Sequence, residues 1–218
     1  FICIIWVLNK RFITFEGGEG SGKSTQIRLL EKKLSKKYKV IITREPGGTR
    51  EAELIRNLLV RGKSGKWSGI TEVLLNFTAR KDHVEKIILP NLKKNKWVIC
   101  DRFSDSTLAY QGYGRNVSFD IIRKLNKSLI NNLKPALTFL LDIDPKIGLS
   151  RSKKRPNNEL RYENMPLSYH KKIRNAYLDI AKKNKKRIKI IDASLDKRDI
   201  SEIIWSIIQK EIKNNNGN

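Results

Sequence analysis

Residues 17–24 read G-G-E-G-S-G-K-S, two glycines framing four positions with a lysine and a serine directly after. That spacing suits phosphate chemistry. Backbone N–H groups from Gly18 to Lys23 can wrap a phosphate chain, and a helix opening there adds its unpaired N–H groups and dipole. Gly17, Gly18, Glu19, Gly20, Ser21, Gly22, Lys23, Ser24 and Thr25 are therefore the expected contacts of a nucleotide. Lys23 would reach the bridging and terminal phosphates, and Ser24 would hold Mg²⁺. Asp101, after the apolar run W-V-I-C, can anchor the same ion through water or organise the loop by hydrogen bonding. Asp142 ends a second apolar run and either contacts ligand or opens the next helix.

Glu19 is the odd member of this loop, because it aims a carboxylate into a nest built for anions. Such a residue calls for a second molecule with a hydroxyl to offer. Arg44 and Arg102 each leave a strand end, and planar guanidinium groups match a phosphate monoester, so the second molecule is expected to carry a phosphate itself. The four variable loop positions include no basic residue, so further positive charge over a migrating phosphoryl group must come from elsewhere. The polar segment K-K-R-P-N-N-E-L-R-Y-E-N-M-P and the residues before it offer Arg151, Lys153, Lys154, Arg155 and Arg161 as a lid that closes over nucleotide and excludes water.

The elements that must position these groups alternate. Strands are expected at 12–16, 40–43, 97–100, 137–142 and 187–192. Helical periodicity falls at 23–37, 50–60, 70–88 with Pro90 closing it, 118–132, 145–155, 167–184 and 198–213. Ile/Val/Leu-rich strands between helix-length segments predict an α/β fold, a mostly parallel sheet covered on both faces. Ligands in such sheets bind beyond the carboxyl ends of the strands. The glycine loop, R-E-P-G-G-T at 44–49, D-R-F at 101–103 and the end of L-T-F-L-L-D therefore converge on one rim.

Composition narrows the class. The chain has 218 residues, enough for one domain, and a net charge of +24. Lysines are spread through the whole sequence without a basic arm or an aromatic strip, so they suit solvated faces that attract anionic substrates better than a dedicated nucleic-acid surface. Cys3 and Cys100 form neither a disulfide framework nor a metal quartet and fit a reducing compartment, hence a cytoplasmic location. The opening F-I-C-I-I-W-V-L is too short to cross a bilayer, and its basic residues follow it instead of preceding it, unlike a secretory signal. No membrane association is expected. His83 and His170 are expected to be ordinary surface or packing residues.

From about residue 11 to residue 209 the sequence resembles the thymidylate kinases, and their bacterial-type branch most closely. The resemblance rests on F-E-G-G-E-G-S-G-K-S-T-Q (15–26), R-E-P-G-G-T, D-R-F-S-D-S-T-L-A-Y-Q-G (101–112), L-L-D-I-D-P-K-I-G-L-S-R-S-K-K-R (140–155) and L-R-Y-E-N-M-P-L-S-Y-H-K-K-I-R-N-A-Y (160–177). It implies a P-loop NTPase fold with a five-stranded parallel sheet and a small lid, in one domain over 11–213. The lid would span about 151–163, leaving an apolar extension at 1–10 and a polar tail at 214–218. It also implies transfer of the terminal phosphoryl group of ATP to dTMP, giving dTDP, with Mg²⁺ and a homodimer. Carried over by motif, Arg102 binds the acceptor phosphate with help from Arg44, and Glu19 accepts from the sugar 3′-hydroxyl. Arg80 reads a thymine carbonyl, and Tyr110 lies where a 2′-hydroxyl would fit. Ser106, Thr107 and Gln111 line the nucleoside pocket, and Arg151 and Arg155 are the lid arginines.

Two positions depart from the family pattern. Asn76 stands where an aromatic residue commonly stacks on the base, with Phe77 one position later. One helical step turns a side chain by about a quarter of the circumference, so Phe77 is expected either to reach the base or to join the core. Leu160 replaces a frequent aspartate ahead of Arg161. The alternatives to dTMP phosphorylation are a kinase of the same fold acting on another monophosphate, or a basic nucleic-acid-binding NTPase.

Overall fold

The computed structural model describes residues 9–153 and 161–216. Five parallel strands form one sheet: β1 (Phe12–Glu16), β2 (Val40–Arg44), β3 (Trp97–Asp101), β4 (Leu137–Asp142) and β5 (Ile188–Asp192), in the order β2-β3-β1-β4-β5. The expected α/β architecture and five-stranded parallel sheet are what the chain adopts. Register then fixes the rim. Phe15 and Arg44 both lie opposite Asp101, and Asp142 lies opposite Asp192, so the strand ends finish level.

Side-chain alternation along the inner strands divides the core between the two faces. Ile13, Phe15, Ile99, Phe139 and Leu141 pack with Ile27, Leu30 and Leu34 of α1 (Lys23–Leu34) and with Ile200, Ile204 and Ile208 of the C-terminal helix Lys197–Asn216. On the opposite face Phe12, Val98 and Cys100 meet Val84, Ile88, Leu92 and Phe103. Cys100 is thus a core residue, as its apolar neighbours predict. No helix among the described residues is long and apolar enough to cross a membrane.

The remaining helices are α2 (Arg50–Val60), α3 (Gly69–His83), α4 (Leu89–Lys93), α5 (Ser104–Thr107), α6 (Phe119–Ile130), α7 (Pro145–Lys153) and α8 (Leu167–Lys183). The helix expected to stop near Pro90 continues to Lys93. Val84–Ile88 widen into a π turn that ends as the Leu89 N–H meets Val84 O, which relieves the clash a proline ring makes in an α-helix. Ser104–Tyr113, to which no helix was assigned from sequence, is helical throughout, with a second π turn over Leu108–Tyr113. Thr49 and Ser68 cap α2 and α3 by accepting from the Ala52 and Thr71 N–H groups.

Candidate active site

α1 begins at Lys23 behind Gly22, whose φ of 88° only glycine adopts without strain, and no side chain caps it. Its first N–H groups are left for a ligand. Lys23 is buried, and its ammonium donates to the Gly17 and Gly18 carbonyls at 3.1 Å each. Burial lowers its pKa and nearby Arg102 adds to the effect, against the opposing pull of Asp101, Glu19 and Glu16. Ser24 Oγ stands 3.5 Å from Asp101 Oδ2, while Asp101 Oδ1 is buried without a hydrogen-bond partner among the described residues. An aligned hydroxyl and a carboxylate oxygen with spare capacity fit an Mg²⁺ ion held between protein and phosphate.

Glu19 turns away from the loop. Its Oε1 accepts from Arg102 at 3.0 Å and from the Tyr110 hydroxyl at 2.9 Å. Burial raises its pKa, but Arg102, Lys23 and the Tyr110 hydrogen bond outweigh that and hold the carboxyl below the usual range. Arg102 adopts φ 69°, rare for a non-glycine residue, with its N–H bonded to Phe15 O at 2.9 Å. Its other guanidinium nitrogen donates to Tyr177 at 3.0 Å and to Ser106 at 3.4 Å, and the group lies over the Tyr110 ring. Arg44 forms a two-point pair with Glu53 at 3.1 and 2.7 Å and lines a cavity over the glycine loop together with Lys23, Ser24, Asp101 and Arg102.

Glu45, Asn76, Thr107, Tyr110 and Gln111 line the neighbouring cavity together with Glu19 and Arg102. Arg80 lies just beneath it, fully buried, donating to Glu45 at 2.7 Å and Thr107 at 2.9 Å. Its second terminal nitrogen has no partner among the described residues. Phe77 does not reach the cavity. It packs with Val73 and Ile122 in the core, its ring under the Arg80 guanidinium at 5.0 Å, while Asn76 takes the wall and donates back to Glu72 O. Of the two places open to Phe77 it takes the core, where it supports Arg80, and the base contact given to it among the nucleoside-site residues is corrected: one helical step turns its ring away from the wall that Asn76 occupies.

Arg161 is also not where the sequence reading put it. It is buried 2.5 Å from Glu72, donating as well to Leu59 O at 2.6 Å, so its charge is spent inside the fold and not over a phosphate. Asp142 is paired with Arg174 at 2.7 and 2.9 Å and lines a small cavity with Gly17, Gly18 and Glu19. Arg151 donates to Ala193 O at 3.0 Å across the end of β5. Lys154, Arg155 and Leu160 lie outside the described residues. Both histidines are buried packing residues. His83 contacts Thr43 at 2.6 Å and Glu45 at 3.1 Å, and His170 lies behind the phosphate loop.

Three residues that sequence reasoning passed over organise the site. Glu16 accepts from the Phe103 N–H, Ser106 and Tyr177 at 2.8, 2.6 and 3.1 Å, fixing the group that surrounds Arg102. Glu45 aligns Arg80 and His83. Glu72, wholly buried, gathers Arg161, Arg115 and Gln111. Glu16 and Glu45 lie inside quoted motifs, so a carboxylate at a strand end was the available signal. Nothing local marks Glu72, whose partners come from distant segments.

The comparisons with known proteins agree on one family. Residues 15–204 match the family model for thymidylate kinase. The chain is 46% identical over 205 residues to the thymidylate kinase of Afipia carboxidovorans, covering 93% of this chain and 90% of that protein. It is also 46% identical over 204 residues to the one from Onion yellows phytoplasma, covering 93% and 96%. The crystal structure of thymidylate kinase from Ehrlichia chaffeensis superimposes with a TM-score of 0.74 at 36% identity, over 92% of this chain and 99% of that one. With the glycine loop, the two strand-end arginines and the neighbouring cavities in place, the chain belongs to the thymidylate kinase family.

Proposed function

We propose that the joined cavities hold ATP and dTMP end to end, and that the terminal phosphoryl group passes in line to the 5′-phosphate of dTMP, giving ADP and dTDP. ATP-dependent phosphorylation of dTMP is the activity that membership of the family carries. The observation that supports this arrangement is the Glu19–Arg102 pair: the two side chains are bonded to each other and line both cavities.

Each polar contact around that pair is one a substrate can take over. Lys23 exchanges the loop carbonyls for the phosphates of ATP, and Arg102 exchanges Glu19 for the phosphate of dTMP. Glu19 then accepts from the sugar 3′-hydroxyl, with Tyr110 closing the space a 2′-hydroxyl would need. The unpartnered Arg80 nitrogen, Thr107 and Gln111 face the base, and Ser106 steadies Arg102. Ser24 and Asp101 hold Mg²⁺, which supplies charge neutralisation across the phosphates. Arg151 and Arg155 are the lid arginines of the nucleotide side. No covalent nucleophile is required, since the acceptor phosphate is already anionic, and alignment of the two ends supplies much of the acceleration. The working unit is a homodimer. Exposed Leu54 and Leu58 on α2 and Ile70 and Leu74 on α3 support this, as an apolar face on two adjacent helices.

Asn76 on the cavity wall favours one second reading, a preference for another monophosphate. An acceptor panel separates the two. With ATP and Mg²⁺, dTMP yields dTDP and ADP in equal amounts and outpaces dUMP, dCMP and dGMP, and Lys23→Ala lowers the rate by about 100-fold or more. No dTDP above the Lys23→Ala background would end the main reading, and faster turnover of another acceptor would install the second.

A further inference from the structure

α7 turns three buried residues, Pro145, Gly148 and Ser152, toward the phosphate loop from one helical face. At Gly148 the two backbones touch. A Cβ on Gly20 would fall 1.9 Å from Gly148 O, and a Cβ on Gly148 would fall 2.4 Å from Glu19 O. One turn further along, Ser152 joins the wall of the phosphate cavity beside Ser21, Lys23 and Ser24. It is 5% exposed, and its hydroxyl finds no hydrogen-bond partner among the described residues. A helical serine can return its hydroxyl to the carbonyl four residues back. Here that carbonyl belongs to Gly148 and lies against Gly20, and the bond is not made.

A buried hydroxyl without a partner is costly. A phosphate oxygen in the adjoining cavity would satisfy it, and the serine needs only rotation about χ1 to select an acceptor. The geometry points to Ser152 as a phosphate ligand, its hydroxyl donating to a phosphate oxygen of the nucleoside triphosphate held by Gly18–Ser24. This rests on reading that cavity as the ATP phosphate site. The contact differs from those of the loop because it comes from α7. It joins α7 to the phosphate chain and makes loop and helix respond to the same ligand.

The assignment has an unusual thermodynamic signature. Removing the hydroxyl relieves the free protein and penalises the complex, so stability and affinity move in opposite directions. Calorimetric titration with β,γ-imido ATP and Mg²⁺, paired with thermal melts without nucleotide, reads both. Ser152→Ala is expected to bind about tenfold more weakly, to melt at or above the wild-type temperature, and to keep its KM for dTMP. Ser152→Thr, which retains a hydroxyl, recovers affinity. Unchanged affinity in Ser152→Ala overturns the proposal, as does weaker binding accompanied by a lower melting temperature. Lys23→Ala in the same titration tests the underlying reading alone: wild-type affinity there would mean that the phosphates do not sit in this cavity.

Discussion

Glu16 ends β1 with both carboxylate oxygens occupied by donors, yet its pKa is pushed up to about 7. Complete burial is the leading cause and Asp105 adds to it, against the Ser106, Arg102 and Phe103 interactions that favour the charge. The sign follows from proton linkage. The folded state holds this proton more tightly than the unfolded chain, so the contribution to stability is fullest below the ordinary carboxylate pKa and is lost as pH rises through 7. A displacement of that size amounts to about 3 kcal/mol. Glu16→Gln removes the titration while keeping groups that can bond Ser106 and Tyr177. Urea unfolding at pH 5 and pH 8 should therefore show the wild type losing more stability than the variant over that interval, and identical pH slopes would refute the assignment. Phe77 gives a second test at this scale. As a fully buried core ring beneath Arg80, Phe77→Ala should cost about 3–5 kcal/mol in the same unfolding assay. A loss below about 1 kcal/mol would show that the ring is not part of a tightly packed core.

Among the elements, α3 carries the heaviest load, because Arg80 and Glu72 lie on it and face different parts of the site. Glu72 pairs with Arg161 at 2.5 Å and Arg115 at 3.0 Å, and its other oxygen accepts from Gln111 at 2.9 Å, so one carboxylate joins Arg161 to the wall of the cavity that Gln111 lines. Glu72→Ala leaves the Arg161 guanidinium buried and unpaired, which should cost about 3–5 kcal/mol of stability. It should also raise the KM for dTMP as Gln111 loses its anchor. A variant with unaltered stability would show that Arg161 finds other partners. These contacts also mark the limit of what the sequence makes legible. The phosphate loop, the strand ends and their shared rim follow from apolar runs that stop at glycine or charge, signals carried within a few residues. The Glu72–Arg161 pair joins residues 89 positions apart, and only the folded chain brings them together. In the sequence Arg161 shows only its charge, which points to phosphates. A π turn leaves no local sign, so Pro90 looks like a helix end and Leu108–Tyr113 carries no helical periodicity.

For the whole molecule, a long-range repulsion opposes a contact attraction. A net charge of +24 makes like copies repel, with a range set by the ionic strength. Against it stand Leu54 at 64% exposure and Leu58 at 43% on α2, and Ile70 at 40% and Leu74 at 50% on α3. Each pair is spaced four residues apart, so each forms one stripe along its helix, and the two helices pack side by side. Glu51 three residues before Leu54 and Arg50 four residues before it flank the leucine stripe with one charge of each sign. Self-association through it should tighten as salt screens the remaining repulsion, the reverse of what a basic nucleic-acid surface does with its partner. Sedimentation in about 0.15 M salt is expected to give twice 25.3 kDa for the wild type and 25.3 kDa for a Leu54→Asp, Leu74→Asp protein with unchanged helical content. A wild type that sediments as a monomer at every salt concentration would end the homodimer reading, and a double variant that still pairs would move the interface off α2 and α3.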